Sequence, residues 1–99
     1  MSVVLINSFE VPAGREDEFV AAWRRVADHL ASAPGYQWTR LHRSVGPPAR
    51  FSFVNVAGWA SAEEFRAALT SDSVAPLLAQ LSDFAANPAL YEVAYEHHA

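Results

Sequence analysis

Two different spacings of apolar residues divide the chain into strands and helices. Residues 3–10, VVLINSFE, are mostly apolar with β-branched side chains, a pattern typical of a strand. In the segment 15–35 the large apolar side chains recur at helical spacing, at Phe19, Trp23, Val26 and Leu30. Acidic residues in its first turn favour a helix start, and the SAPG stretch predicts its end.

The middle of the chain predicts two further strands and a second helix. The strands are YQWTRLHRS, at residues 36–44, and RFSFVNVAGW, at residues 50–59. Ser61 and Glu64 have the S-x-x-E spacing of a capping box, which predicts a helix over 61–71.

The last third of the chain predicts a broken helical stretch and a closing strand. Residues 73–84 carry Pro76 near their start, where a first-turn proline is tolerated. The pair Asn87 and Pro88 predicts a break before a fourth strand over 89–98. The order βαββαβ predicts one α+β domain over residues 1–99, a ferredoxin-like sandwich with helices on one face of an antiparallel sheet.

Both faces of the predicted sheet are apolar. Alternation places five residues of the third strand on one face, Phe51, Phe53, Asn55, Ala57 and Trp59. Val54 and Val56 lie on the other face, where a solvated antiparallel sheet would be polar. Helices can cover only one face, so a homodimer with sheet packed against sheet is predicted.

Two carboxamides interrupt the most apolar strands. Asn7 lies in the first strand and Asn55 in the third. An unpaired buried amide costs about 1–3 kcal/mol, so each side chain needs a partner. Either each amide bonds nearby backbone, or it borders a cavity that holds water or a ligand.

Composition narrows the function classes. The formal net charge is −4 and no basic stripe is present, which argues against nucleic acid as a partner. The absence of Cys excludes disulfides and thiolate metal sites. No apolar run has the length of a signal-peptide core or a membrane span, so a cytoplasmic protein is expected.

The four histidines do not form a metal-binding pattern, and no metal site is predicted. His29 falls on the first helix, and His97 and His98 lie at the C-terminus, where exposure is expected. His42, near the end of the second strand, is the best-placed acid–base candidate, although a lone His is more often a surface residue.

Several short motifs resemble the antibiotic biosynthesis monooxygenase family. They are I-N-x-F in the first strand, P-G-Y before the second, and F-V-N-x-A-x-W leading into S-x-E-x-F. The resemblance extends over residues 3–96. It implies a small α+β protein that forms a dimeric α/β barrel.

Within this family the chain is most similar to cofactor-independent oxygenases that turn anthrones into anthraquinones with O2. The resemblance implies that Asn55 and Trp59 form the catalytic pair, that Asn7 is a second hydrogen-bond donor, and that His42 is a candidate proton carrier. It implies an electron-rich aromatic substrate and no cofactor. Aromatic residues expected to bind the substrate are Phe51, Phe53, Phe65, Trp23 and Trp38.

Two departures from this group stand out. Some members carry a Tyr where this chain has Phe65, and an Arg where it has Ala79. A mechanism that depends on that phenol or guanidinium does not transfer to this chain.

Two other functions stay open. Haem-degrading members of the same family use a Trp and an axial His that fall on Ala68 and Leu78, and no His occurs between residues 43 and 96. The third interpretation is a non-catalytic dimeric module that binds a small hydrophobic metabolite, because such a module needs the same cleft.

Overall fold

The structure is a computed structural model that describes residues 2–99. Its elements are β1 (Val3–Glu10), α1 (Glu16–Leu30), β2 (Tyr36–Arg43), β3 (Phe53–Trp59), α2 (Ala62–Leu69), α3 (Ala75–Ala79) and β4 (Ala85–Tyr91). The four strands form one antiparallel sheet in the order β2-β3-β1-β4. The predicted α+β, ferredoxin-like fold is confirmed.

An aromatic cluster anchors α1 to the sheet. Phe19 of α1 is fully buried, and its ring lies 4.8 Å from that of Phe9 and 4.9 Å from that of Phe53, between ring centroids. Phe84, just before β4, approaches Phe19 edge-on at 5.2 Å. Tilted and edge-on contacts of this kind add to the free energy gained by burying each ring.

The ends of the helices are held by local polar contacts. Ser61 Oγ accepts a hydrogen bond from the Glu64 backbone N–H at 3.1 Å, so the N-cap half of the predicted capping box is present at the start of α2. The Glu64 carboxylate accepts from the Ser61 hydroxyl and not from the Ser61 backbone N–H. At the start of α1, Arg15 donates to Glu18 and Asp83. The hydrogen bond from Arg15 holds the pKa of the Glu18 carboxyl below its ordinary value.

The fourth strand lies earlier in the chain than the sequence predicts. It runs over Ala85–Tyr91 instead of 89–98, so Asn87 and Pro88 lie inside it. Because β4 is at the edge of the sheet, a proline without a backbone N–H is tolerated there. Tyr91 pairs with Val4, near the start of β1, so later residues have no strand to pair with.

The two faces of the sheet have different surroundings. Helices cover the face that carries Leu5, Phe9 and the buried residues of β3, while the opposite face carries only half-buried or exposed side chains. The larger apolar members of this open face are Val4, Ile6, Trp38, Val54, Val56 and Tyr91. No helix in residues 2–99 has the length and apolar character needed to cross a bilayer.

We expect Phe19→Ala to lower the free energy of unfolding by about 3–5 kcal/mol, because it leaves a cavity among three packed rings. Urea denaturation at a fixed protein concentration measures the change. Val45→Ala, in an exposed loop, is the control and should stay within about 0.5 kcal/mol of the parent. A Phe19→Ala protein as stable as this control would contradict the role of the cluster.

Candidate functional site

The two strand carboxamides lie side by side on the helix-covered face. Asn7 of β1 is directly opposite Asn55 of β3 in the antiparallel register. Side chains in such a cross-strand pair have their Cβ atoms about 4.5–5.5 Å apart. The sequence predicted both residues but not their pairing, which follows from the register alone.

The oxygen atom of each amide accepts a hydrogen bond from another strand. Thr39 Oγ1 donates to Asn55 Oδ1 at 2.7 Å. The backbone N–H of Asn87, in β4, donates to Asn7 Oδ1 at 3.0 Å. Neither Nδ2 group donates a hydrogen bond within residues 2–99, so both amides present their NH2 ends as unused donors.

A cavity of about 260 Å³ lies between the sheet and the three helices. Asn7 and Asn55 supply its only polar side chains among the described residues, and none of those lining it is titratable. The apolar lining is Leu5, Phe9, Trp23, Val26, Leu30, Phe65, Leu69, Leu78, Leu81, Ala86 and Pro88. No fully buried side-chain N or O in residues 2–99 lacks a hydrogen-bond partner, so the unpartnered Asn55 Nδ2 retains some accessible surface.

The cavity lies at the junction of two buried clusters. One contains Leu5, Ala57, Trp59 and Phe65, and the other contains Phe9, Phe19, Phe53 and Phe84. Asn7 falls between Leu5 and Phe9 along β1, and Asn55 falls between Phe53 and Ala57 along β3. The amides therefore occupy the gap that the two clusters leave.

Trp59 borders a second, smaller cavity of about 40 Å³ that also contacts Thr39 and Asn55. The indole is 1% exposed and packs edge-on against Tyr36 and Phe65. Four residues along a strand span about 13 Å between Cα atoms, and the indole forms the end wall of this smaller cavity.

Only two of the five aromatic residues predicted to bind substrate lie at the larger cavity. Trp23 and Phe65 line the larger cavity. Phe53 packs in the cluster around Phe19, and Phe51 lies before β3 beneath the Arg50 guanidinium. Trp38 lies on the open face, with its indole against Gly58 and Arg40. The last three do not line either cavity.

His42 is separated from both carboxamides by the sheet. It pairs with Val54, so it faces away from the neighbouring Asn55, and its Nδ1 lies 3.1 Å from the Val54 carbonyl oxygen. The structure therefore does not bring the predicted proton carrier to the cavity of its own chain.

Thr39 is the polar neighbour that the sequence reading missed. Thr39 is two residues from the apolar Leu41, and this spacing could have placed both on the helix-covered face. The irregularity between Tyr36 and Trp38 hides the pattern, because it interrupts the alternation of faces at the start of β2. Within residues 2–99, no group of three or more His, Cys, Asp or Glu side chains is placed to hold a metal ion.

Comparison with known proteins supports an oxygenase family. Residues 2–77 match the family model described as antibiotic biosynthesis monooxygenase. A candidate monooxygenase from Shewanella loihica PV-4 is 35% identical over 96% of both chains, with a TM-score of 0.81. No curated protein matches the chain in sequence.

Two other solved structures represent different activities. SnoaB, a cofactor-independent oxygenase from Streptomyces nogalater, is 27% identical, with a TM-score of 0.85 over 96% of this chain and 95% of that one. A heme-degrading protein from Mycobacterium tuberculosis is 28% identical, with a TM-score of 0.73 over 99% of this chain and 100% of that one.

Proposed function

The chain belongs to the antibiotic biosynthesis monooxygenase family, and on that basis we propose that it is a cofactor-independent monooxygenase that oxidises an electron-rich, anthrone- or hydroquinone-like aromatic to a quinone with O2. The family and its oxygenase neighbours support an oxygenase activity. The choice of an anthrone- or hydroquinone-like substrate goes beyond this general activity, and it rests on the chemistry of the cavity.

The observation that carries the proposal is the orientation of the two amides. Their oxygens are held by Thr39 and Asn87, so the groups that reach the cavity are N–H donors. Donors in an apolar enclosure stabilise an anion more strongly than they would in water. A substrate that becomes a phenolate or enolate oxyanion matches this arrangement.

The proposed reaction starts as the substrate enters the open cleft, where it loses a proton to bulk water and gives an enolate. The enolate passes one electron to O2, and the resulting radical and superoxide combine to form a C–O bond. The peroxide is protonated, its O–O bond breaks, and the second hydrogen leaves that carbon as a proton. Overall, a CH2 group becomes C=O while one O2 is consumed and one H2O is released.

The side chains have distinct roles in this proposal. Asn55 is the main oxyanion donor and Asn7 the second donor. Trp23 and Phe65 provide flat apolar walls for the rings, and Trp59 closes the end of the site near Tyr36. The apolar lining excludes water, which would otherwise compete for the anion.

We expect Asn55→Ala to lower the turnover of a hydroxylated anthrone such as dithranol by about 10²–10³-fold, because one oxyanion donor is lost. Oxygen consumption by metal-free protein gives the rate, corrected for autoxidation. Gln37→Ala removes a carboxamide from an exposed position and is the matched control.

Near-parental activity in a folded Asn55→Ala protein would refute the site assignment. A parent protein that binds the aromatic without consuming oxygen would instead support the non-catalytic binding module.

We also propose a homodimer formed through the open sheet face. The centre of this face is apolar, and the single chain leaves it uncovered. Family members are generally dimeric. A second copy packed sheet to sheet covers the half-buried valines and isoleucine and produces the dimeric α/β barrel that the sequence resemblance implies.

We expect the parent to elute with twice its 10.8 kDa chain mass in size-exclusion chromatography with light scattering. Val56→Glu places a charge at the centre of the open face and should give monomers, because an unpaired buried charge opposes association. Glu63→Gln, on the exposed side of α2, is the control. A monomeric parent would contradict the dimer.

The similarity to the mycobacterial heme-degrading protein raises the question of whether this chain binds haem. The residues of α2 and α3 that face the cavity are Phe65, Leu69 and Leu78, and none of these side chains can coordinate iron. Asn7 and Asn55 are weak ligands compared with imidazole. The residues present do not fit haem, and no step of the proposed reaction uses it.

We expect a titration of the protein with haem to give no sharp Soret shift at one equivalent. Leu78→His is the comparison variant, because it introduces an imidazole at the position of the axial ligand in haem-degrading members of the family. A stoichiometric Soret shift in the parent would favour haem degradation over the proposed reaction.

A further inference from the structure

We infer that Thr39 is a positioning residue that determines which end of the Asn55 amide faces the substrate. The inference rests on the proposed function, because it concerns the polarity of the same cavity. Thr39 is half-buried in β2, and its hydroxyl donates to Asn55 Oδ1 at 2.7 Å.

A carboxamide has two chemically opposite ends of nearly the same shape. Rotation by 180° about its last bond exchanges an acceptor oxygen for a donor NH2 group. Packing alone distinguishes the two orientations poorly because their volumes are alike. Only a polar neighbour selects one, and on the Asn55 side that neighbour is the Thr39 hydroxyl. In the opposite orientation Asn55 Nδ2 would donate to Thr39 Oγ1, and the hydroxyl proton would lose the only acceptor that it has among residues 2–99.

The sheet geometry explains why Thr39 can reach the amide. Thr39 pairs with Ala57, the next residue of β3 on the same face as Asn55. The small Ala57 side chain leaves room for a diagonal contact across the strands. The irregularity between Tyr36 and Trp38 sets the phase of β2 so that Thr39 faces the helices.

Loss of this hydroxyl has a specific consequence for a substrate anion. Without a donor at Oδ1, Asn55 can turn its oxygen into the cavity, where a lone pair opposes an oxyanion. The same change affects a neutral ligand much less, because a neutral phenol can donate to that oxygen. Thr39 therefore acts on the anionic stages of the reaction through Asn55.

The test compares Thr39→Val, which keeps the shape but removes the hydroxyl, with Thr39→Ser, which keeps the hydroxyl. We expect Thr39→Val to lower kcat for the anthrone by about 10–100-fold with little change in KM, a partial loss of one oxyanion donor. Thr39→Ser should stay within about threefold of the parent. Thermal unfolding verifies that both proteins are folded.

A double-mutant cycle distinguishes positioning from a general structural effect. In the Asn55→Ala background, Thr39→Val should have no further effect on kcat, because the amide that it orients is gone. An equal loss of kcat in both backgrounds would overturn the inference, and so would a folded Thr39→Val protein with parental kcat.

A readout without turnover separates this inference from the proposed function. Hydroxyanthraquinone cannot undergo the reaction, and its phenolate has a distinct visible absorption. Donors to the anion lower the pKa of the bound phenol, so the parent and Thr39→Ser should show a lower pKa than Thr39→Val. If the phenol pKa values differ in this way but the parent consumes no oxygen, the proposed monooxygenase activity is refuted and the positioning role of Thr39 is retained. Equal phenol pKa values in the parent and Thr39→Val would overturn the role of Thr39.

Discussion

The cross-strand pair of Asn7 and Asn55 is the constraint around which the rest of the structure is arranged. Asn55 is buried and Asn7 is half-buried, and a buried amide costs about 1–3 kcal/mol if left unpaired. Donors from the two flanking strands, Thr39 in β2 and Asn87 in β4, limit that cost by engaging one atom of each amide. All four strands are thus involved in a single polar row, and a register slip of one residue in β1 or β3 would turn an amide to the wrong face.

The hydrophobic core is divided in two by this row. The phenylalanine cluster around Phe19 closes one end, and the cluster around Trp59 closes the other. The hollow of about 260 Å³ between the clusters is partly open to the surface, so it is a cleft that a ligand can enter and not a sealed void. Its lining carries no charge and is apolar apart from the two amides, and on this basis we propose a flat aromatic that becomes an anion as its ligand.

The two faces of the sheet separate the proposed dimer contact from the proposed oxyanion site. The helix-covered face holds the amides and the cavity, and the open face holds valines, an isoleucine, Trp38 and His42. This separation explains why His42, attractive in the sequence as an acid–base group, has no access to its own chain's cavity. It also means that the proposed dimer contact and the proposed oxyanion site can be altered independently, since neighbouring residues of β3 point to opposite sides.

Alternation and spacing were sufficient to predict the strands 3–10 and 36–44, α1, the Ser61 N-cap and the faces of β3, because these depend on local sequence. They also identified the two amides as unusual in apolar strands. The tertiary structure decided what depends on distant segments. Strand register placed Asn7 against Asn55, and the limited length of β1 ended β4 at Tyr91. An irregularity in β2 turned Thr39 toward Asn55, and pairing with Val54 turned His42 away. The residue types of the site were thus set by the sequence, whereas the direction in which each amide points was set by hydrogen bonds from other strands.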